Sequence, residues 1–184
     1  MNNPSHAMVF AAAFGTRMGH LTDDRPKPLI DVAGRPLLDH ALAATEGAGV
    51  QAIVNAHYKS EMVEAHLKTH KNAELLVERP NILETGGGLK AALPRLGNEP
   101  VFTLNSDAVW SGPNPLQCLK DAWIPSQMGA LLLLVPLERT VGYTRAGNFA
   151  ADAQGRLSRN TEGMVYTGAQ ILHTDGLNLS LIHI

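Results

Sequence analysis

A chain of 184 residues, 45% hydrophobic and 17% charged, is long enough for one domain with a sizeable buried core. Its formal net charge of −2 argues against non-specific attachment to nucleic acid or anionic membrane, so any anion site has to be local. The single cysteine, Cys118, excludes an internal disulfide and a thiolate zinc cluster; a buried structural thiol is expected there. No apolar run reaches the length of a membrane span and no basic region leads into one, so the expected location is the cytoplasm.

Residues 1–6 read as a tail and 7–184 as a single domain. The apolar run Met8–Ala13 predicts a buried strand, which breaks into the turn Gly15-Thr16-Arg17. Glycine lets backbone N–H groups approach phosphate oxygens, and Arg17 adds a planar, permanently charged fork. Farther on, Pro26 and Pro28 stiffen the backbone on both sides of Lys27, so its ammonium is presented from a rigid segment. Cations placed beside one turn suit a polyanion, although neither the P-loop spacing nor the dinucleotide spacing of glycines occurs.

Pro36–Glu46 carries apolar residues at helical spacing, Ala52–Asn55 is strand-like, Ser60–Lys71 predicts a helix capped by its serine, and Ala73–Glu78 predicts another strand. This alternation implies βαβ crossovers and a mainly parallel sheet covered on both faces, with ligands at the carboxyl ends of its strands. Leu83–Gly88 predicts a loop before a helix from about Leu89 to Leu96. Its three glycines would let a flat base rest on bare backbone, or would serve as a flexible connector. The strand Val101–Asn105 leads to Asp107, a carboxylate placed either to hold Mg²⁺ beside a phosphate loop or to cap the next turn. Met128–Val135 predicts a further central strand. Phe149–Asp152 and Leu157–Arg159 form a predicted hairpin, and Val165–Leu172 a final strand. His66 and His70, four apart, are expected to be exposed and to lack a third metal ligand. Ser106 has no Gly-x-Ser-x-Gly elbow, and Trp110 and Trp123 read as packing residues.

Residues 8–36 resemble the signature of sugar-1-phosphate nucleotidyltransferases: Leu-Ala-Ala-Gly-x-Gly-Thr-Arg-Met, Leu-Thr, Pro-Lys-Pro-Leu and Val-x-Gly-x-Pro-Leu. Leu83-Glu84-Thr85-Gly86-Gly87-Gly88 and Leu104-Asn105-Ser106-Asp107 most resemble the N-acetylmuramate-1-phosphate uridylyltransferase branch, and the resemblance runs from Ala7 to Leu172. It implies a Rossmann-like, GT-A-like three-layer α/β sandwich with a mostly parallel sheet. The nucleotide-binding half would span about 7–112 and the sugar-binding half about 113–184. It further implies in-line attack of a sugar 1-phosphate on the α-phosphorus of a nucleoside triphosphate, with UTP and N-acetylmuramate 1-phosphate favoured and pyrophosphate released. Arg17 and Lys27 would be catalytic, and Ala12, Ala13, Gly15, Thr16 and Arg17 would hold the nucleotide together with Thr85, Gly86 and Gly87. Asn105, Gly142, Glu162 and Thr167 would contact the sugar and Asp107 the Mg²⁺.

The chain departs from the pattern at Ala13, which replaces the first glycine, and at His20, where relatives often have proline. It ends on an apolar stretch without the Trp-x-Asp-Ile-Gly segment that supplies a second metal aspartate, so a shortened version of a longer enzyme is expected. Mannose-1-phosphate guanylyltransferase, another nucleotide-sugar pyrophosphorylase, and a noncatalytic nucleotide-binding module are the competing readings.

Overall fold

The computed structural model describes residues 3–175. Strand β1 (His6–Phe10) leads through two 3₁₀ turns and a small ribbon, β2 (Asp31–Val32) and β3 (Arg35–Pro36), into helix α1 (Leu37–Gly47). There follow β4 (Gln51–Ala56), α2 (Ser60–Leu67), β5 (Ala73–Val77), α3 (Glu84–Leu96), β6 (Val101–Asn105), α4 (Pro115–Ala122) and β7 (Ala130–Val135). The hairpin β8 (Phe149–Ala151) and β9 (Leu157–Arg159) precedes β10 (Val165–Leu172).

The main sheet has the order β5-β4-β1-β6-β10-β7. β5, β4, β1 and β6 are parallel, whereas β10 runs antiparallel to both β6 and β7. The expected α/β sandwich is therefore present, because strands that bury both faces need helices on both. One face packs Leu38 and Leu42 of α1, Val63 and Leu67 of α2, and Leu116 and Leu119 of α4. The other packs Leu89, Ala92 and Leu96 of α3 against Met8 and Ile53. No described helix is long and apolar enough to cross a membrane.

Several expected elements shift. β1 ends at Phe10 rather than Ala13, because the Ala11 N–H is donated to the Asn55 side chain and no longer to a strand. β7 is an edge strand, not a central one: β10 inserts between it and β6, which apolar composition could not foretell. α2 stops at Leu67, closed by a turn in which the His70 N–H reaches the Leu67 carbonyl. Its N-cap is Lys59 in the left-handed region, and Ser60 is the first helical residue, with no capping side chain. Cys118 is exposed, because the buried side of α4 is formed by its neighbours Leu116 and Leu119.

On β10, Tyr166 meets Phe149 edge-on at 6.5 Å, and burial pushes its phenol up to about 12. An unfolded tyrosine titrates near 10, so the folded chain retains this proton longer. The corresponding stability is complete below about pH 10 and is lost as pH rises towards about 12, by about 3 kcal/mol at most. Denaturation midpoints measured across that window should fall less steeply in Tyr166→Phe.

Candidate active site

Parallel β1, β4 and β6 lie side by side, with Phe10 opposite Asn55 on one flank and Asn105 on the other, so the segments that follow them converge. The first is the signature turn. Gly15 adopts φ 70°, and a Cβ there would lie 2.8 Å from the Lys27 Cβ and 3.1 Å from the Thr22 Cγ2. The glycine thus lets the first turn close on the second, and the close approach it permits is to the lysine stem of the Pro-Lys-Pro segment. Lys27 Nζ in turn donates to Asp107 Oδ2 at 2.5 Å, joining the signature to the end of β6. The lysine side chain is 19% exposed and the aspartate 42%, so the pair opens to solvent on its carboxylate side.

Ala12 is buried, whereas Ala13, Thr16 and Arg17 are exposed on the turn. Arg17 has no hydrogen-bond or ion-pair partner among the described residues, so its guanidinium is available to an anion. Beside it stands Phe14, 44% exposed, with its ring edge-on to His57 at 5.4 Å. Phe14 occupies the variable position of the signature, where an aromatic carries no pattern that sequence alone could single out.

Beneath the turn lies a brace of residues far apart in the sequence. The Ala11 N–H donates to Asn55 Oδ1, Asn55 Nδ2 donates to Glu78 Oε1, and the Leu83 N–H donates to Glu78 Oε2, each at 2.7 Å. Asn55 and Glu78 are 3% and 2% exposed. A buried carboxylate with both oxygens engaged ties the signature turn to the start of α3. The one available signal was an Asn and a Glu at the ends of otherwise apolar strands, where polar residues need partners.

The glycine segment is helical, not a loop: α3 begins at Glu84, and Gly86 to Gly88 lie in its first turns. A helix start already has unpaired N–H groups, so the segment can offer donors without being irregular. Its glycines divide by surroundings. A Cβ on Gly86 would meet nothing within 4 Å, and on Gly87 only Leu83. On Gly88 it would lie 2.8 Å from both Asn55 Nδ2 and Glu78 Oε1, so this glycine makes room for the brace. Thr85 is exposed.

At the end of β6, Ser106 is structural, its hydroxyl donating to the Phe10 carbonyl at 2.7 Å. Asn105 is seated by Gly168, which has φ 82° and whose Cβ would fall 2.5 Å from Asn105 Nδ2. This glycine lies where the β10–β7 register shifts, and the neighbouring Thr167 donates its hydroxyl to the Leu133 carbonyl at 2.8 Å. Thr167 therefore has only acceptor capacity left for a ligand. Gly142 and Glu162 are exposed, and neither hydrogen-bonds to the Lys27–Asp107 region among the described residues. The apolar tail lies outside the described residues.

The expectation that His66 and His70 are exposed and lack a third ligand is overturned: both are half-buried, and Asp39 of α1 completes a group with them.

A glycine turn, a lysine–aspartate pair and a glycine-rich helix start gather at the carboxyl ends of parallel strands, the edge where α/β domains of this class hold their ligands. The chain belongs to the family of MobA-like NTP transferase domains, whose pattern matches residues 7–140. It is 39% identical to the N-acetylmuramate alpha-1-phosphate uridylyltransferase of Caulobacter vibrioides, over 91% of this chain and 75% of that protein. It is 37% identical to a mannose-1-phosphate guanyltransferase of Hypocrea jecorina, over 58% of this chain and 31% of that protein. The inositol-1-phosphate CTP transferase of T. maritima shares the fold, with a TM-score of 0.80, 16% identity, and coverage of 97% of this chain and 74% of that one.

Proposed function

We propose that this protein transfers a nucleoside monophosphate from a nucleoside triphosphate to a sugar 1-phosphate, releasing pyrophosphate, with UTP and N-acetylmuramate 1-phosphate as substrates. The observation that carries this reading is the Lys27–Asp107 pair held against the Gly15 turn, a fixed cation and an accessible carboxylate at one point. The substrates rest on the activity named for the Caulobacter relative; the role in cell-wall sugar recycling and the cytoplasmic location rest on the resemblance and composition of the sequence.

Arg17 and the backbone of Ala12, Ala13, Gly15 and Thr16 bind the triphosphate. The exposed start of α3, with Thr85, Gly86 and Gly87, receives the base. Lys27 neutralises charge at the reacting phosphates, and Asp107 holds the ammonium in place. Asn105 faces the sugar, joined by Gly142, Glu162 and Thr167 from residues 113–184, the sugar-binding half. No protein nucleophile is needed, because transfer at phosphorus depends mainly on placement and charge.

A half-open carboxylate also fits Mg²⁺, which takes one or two carboxylates and otherwise water and phosphate oxygens. Asp107 would hold the ion, whose charge offsets that developing at the α-phosphate when it is bound.

Pyrophosphate release, measured with Mg²⁺, each of the four common nucleoside triphosphates and a panel of sugar 1-phosphates, tests the proposal. Release with UTP and N-acetylmuramate 1-phosphate is expected. Release only with GTP and mannose 1-phosphate would replace the substrates, and binding of nucleotide without release from any pair would leave a noncatalytic module.

A further inference from the structure

Away from the Lys27–Asp107 pair, α1 and α2 lie on the same face of the sheet, and three ligand-type side chains converge between them. Asp39 comes from the first turn of α1, His66 from the last turn of α2 and His70 from the turn that closes it. Asp39 Oδ1 is 2.5 Å from His66 Nε2 and 3.5 Å from His70 Nε2, and the three ligand atoms all lie within 4.8 Å of one another. All three side chains are 19–23% exposed, so they are sheltered yet reachable from solvent.

We propose that Asp39, His66 and His70 form a binding site for a divalent transition-metal ion, Zn²⁺ foremost. Two imidazoles and one carboxylate form a nitrogen-rich set that suits zinc and is poor for Mg²⁺, which takes oxygen. Ligand atoms about 2.0–2.1 Å from a tetrahedral ion stand roughly 3.3 Å apart. The Asp39–His70 spacing of 3.5 Å already matches, and the His66 spacing of 2.5 Å opens by less than an ångström of side-chain rotation. A fourth position remains for water. The far nitrogen of His70, Nδ1, lies 3.7 Å from Glu46 Oε1, the placement of a carboxylate that orients a metal-bound imidazole. An ion here clips the start of α1 to the end of α2, so its effect is on stability. The site does not depend on the transferase reading.

Calorimetric titration of the chelator-treated full chain with zinc chloride should give one ion per chain and a rise in thermal midpoint. Asp39→Asn, His66→Gln and His70→Gln should each abolish both effects, Glu46→Gln should weaken affinity by about 10–100-fold, and His20→Gln should change nothing. Cobalt substitution supplies a readout that needs no variant, since nitrogen ligation in a tetrahedral site gives visible bands. Zinc binding that survives in His66→Gln and His70→Gln, or no binding and no cobalt bands at concentrations up to about 100 μM, would overturn the proposal.

Discussion

Lys27→Ala should lower turnover by about 10²–10³-fold while the protein stays folded. The size follows from a charged donor held at the point where phosphate charge develops, a loss felt more in the transition state than in substrate binding. The fall should therefore appear in kcat more than in KM. Folding should survive for two reasons. Alanine keeps the Cβ against which Gly15 packs, so the two signature turns still close. The abandoned partner, Asp107, is 42% exposed and can be solvated once its ion pair is gone, and such pairs contribute little to stability. Pyrophosphate release and a thermal melt on the same preparation check both halves. Near-normal turnover would remove Lys27 from the mechanism, and an unfolded variant would make the pair structural.

The second large effect is expected in the brace. Glu78→Gln keeps the size of the side chain but replaces one acceptor oxygen by an amide, so either the Asn55 Nδ2 donor or the Leu83 N–H loses its partner. A buried donor left unsatisfied costs about 1–3 kcal/mol, which lowers the thermal midpoint by roughly 2–12 °C in a chain of this size. Because the same groups hold the Ala11 backbone and the start of α3, KM for the nucleoside triphosphate should rise with less change in kcat. Gly88→Ala intrudes on the same atoms and should cost about 1–3 kcal/mol by overpacking. If the brace is one unit, the two substitutions combined cost less than their sum. Wild-type stability in Glu78→Gln would show that the carboxylate does not organise the site.

The sequence alone was enough for what is local. Apolar runs of strand and helix length, alternating along the chain, placed most elements close to where they lie, because burial on a parallel sheet imposes that pattern whatever the partners. The glycine turn and the lysine between prolines were legible for the same reason, since their restrictions act through neighbouring residues. Tertiary structure alone decided which distant groups meet. Lys27 and Asp107 are separated by 80 residues, and no spacing in the chain announces their contact. Glu78 directly follows β5 in sequence, yet it faces Asn55, Leu83 and the space that Gly88 leaves open. Asp39 is a first-turn acid of α1 that no sequence pattern singles out, and only the packing of α1 beside α2 brings it to His66 and His70. β7 has the composition of a central strand and lies at the edge, because the return of β10 sets the order of the sheet. Hydrophobic pattern specifies that a face is buried, whereas the identity of what covers it depends on crossovers and long-range pairing that no single segment encodes.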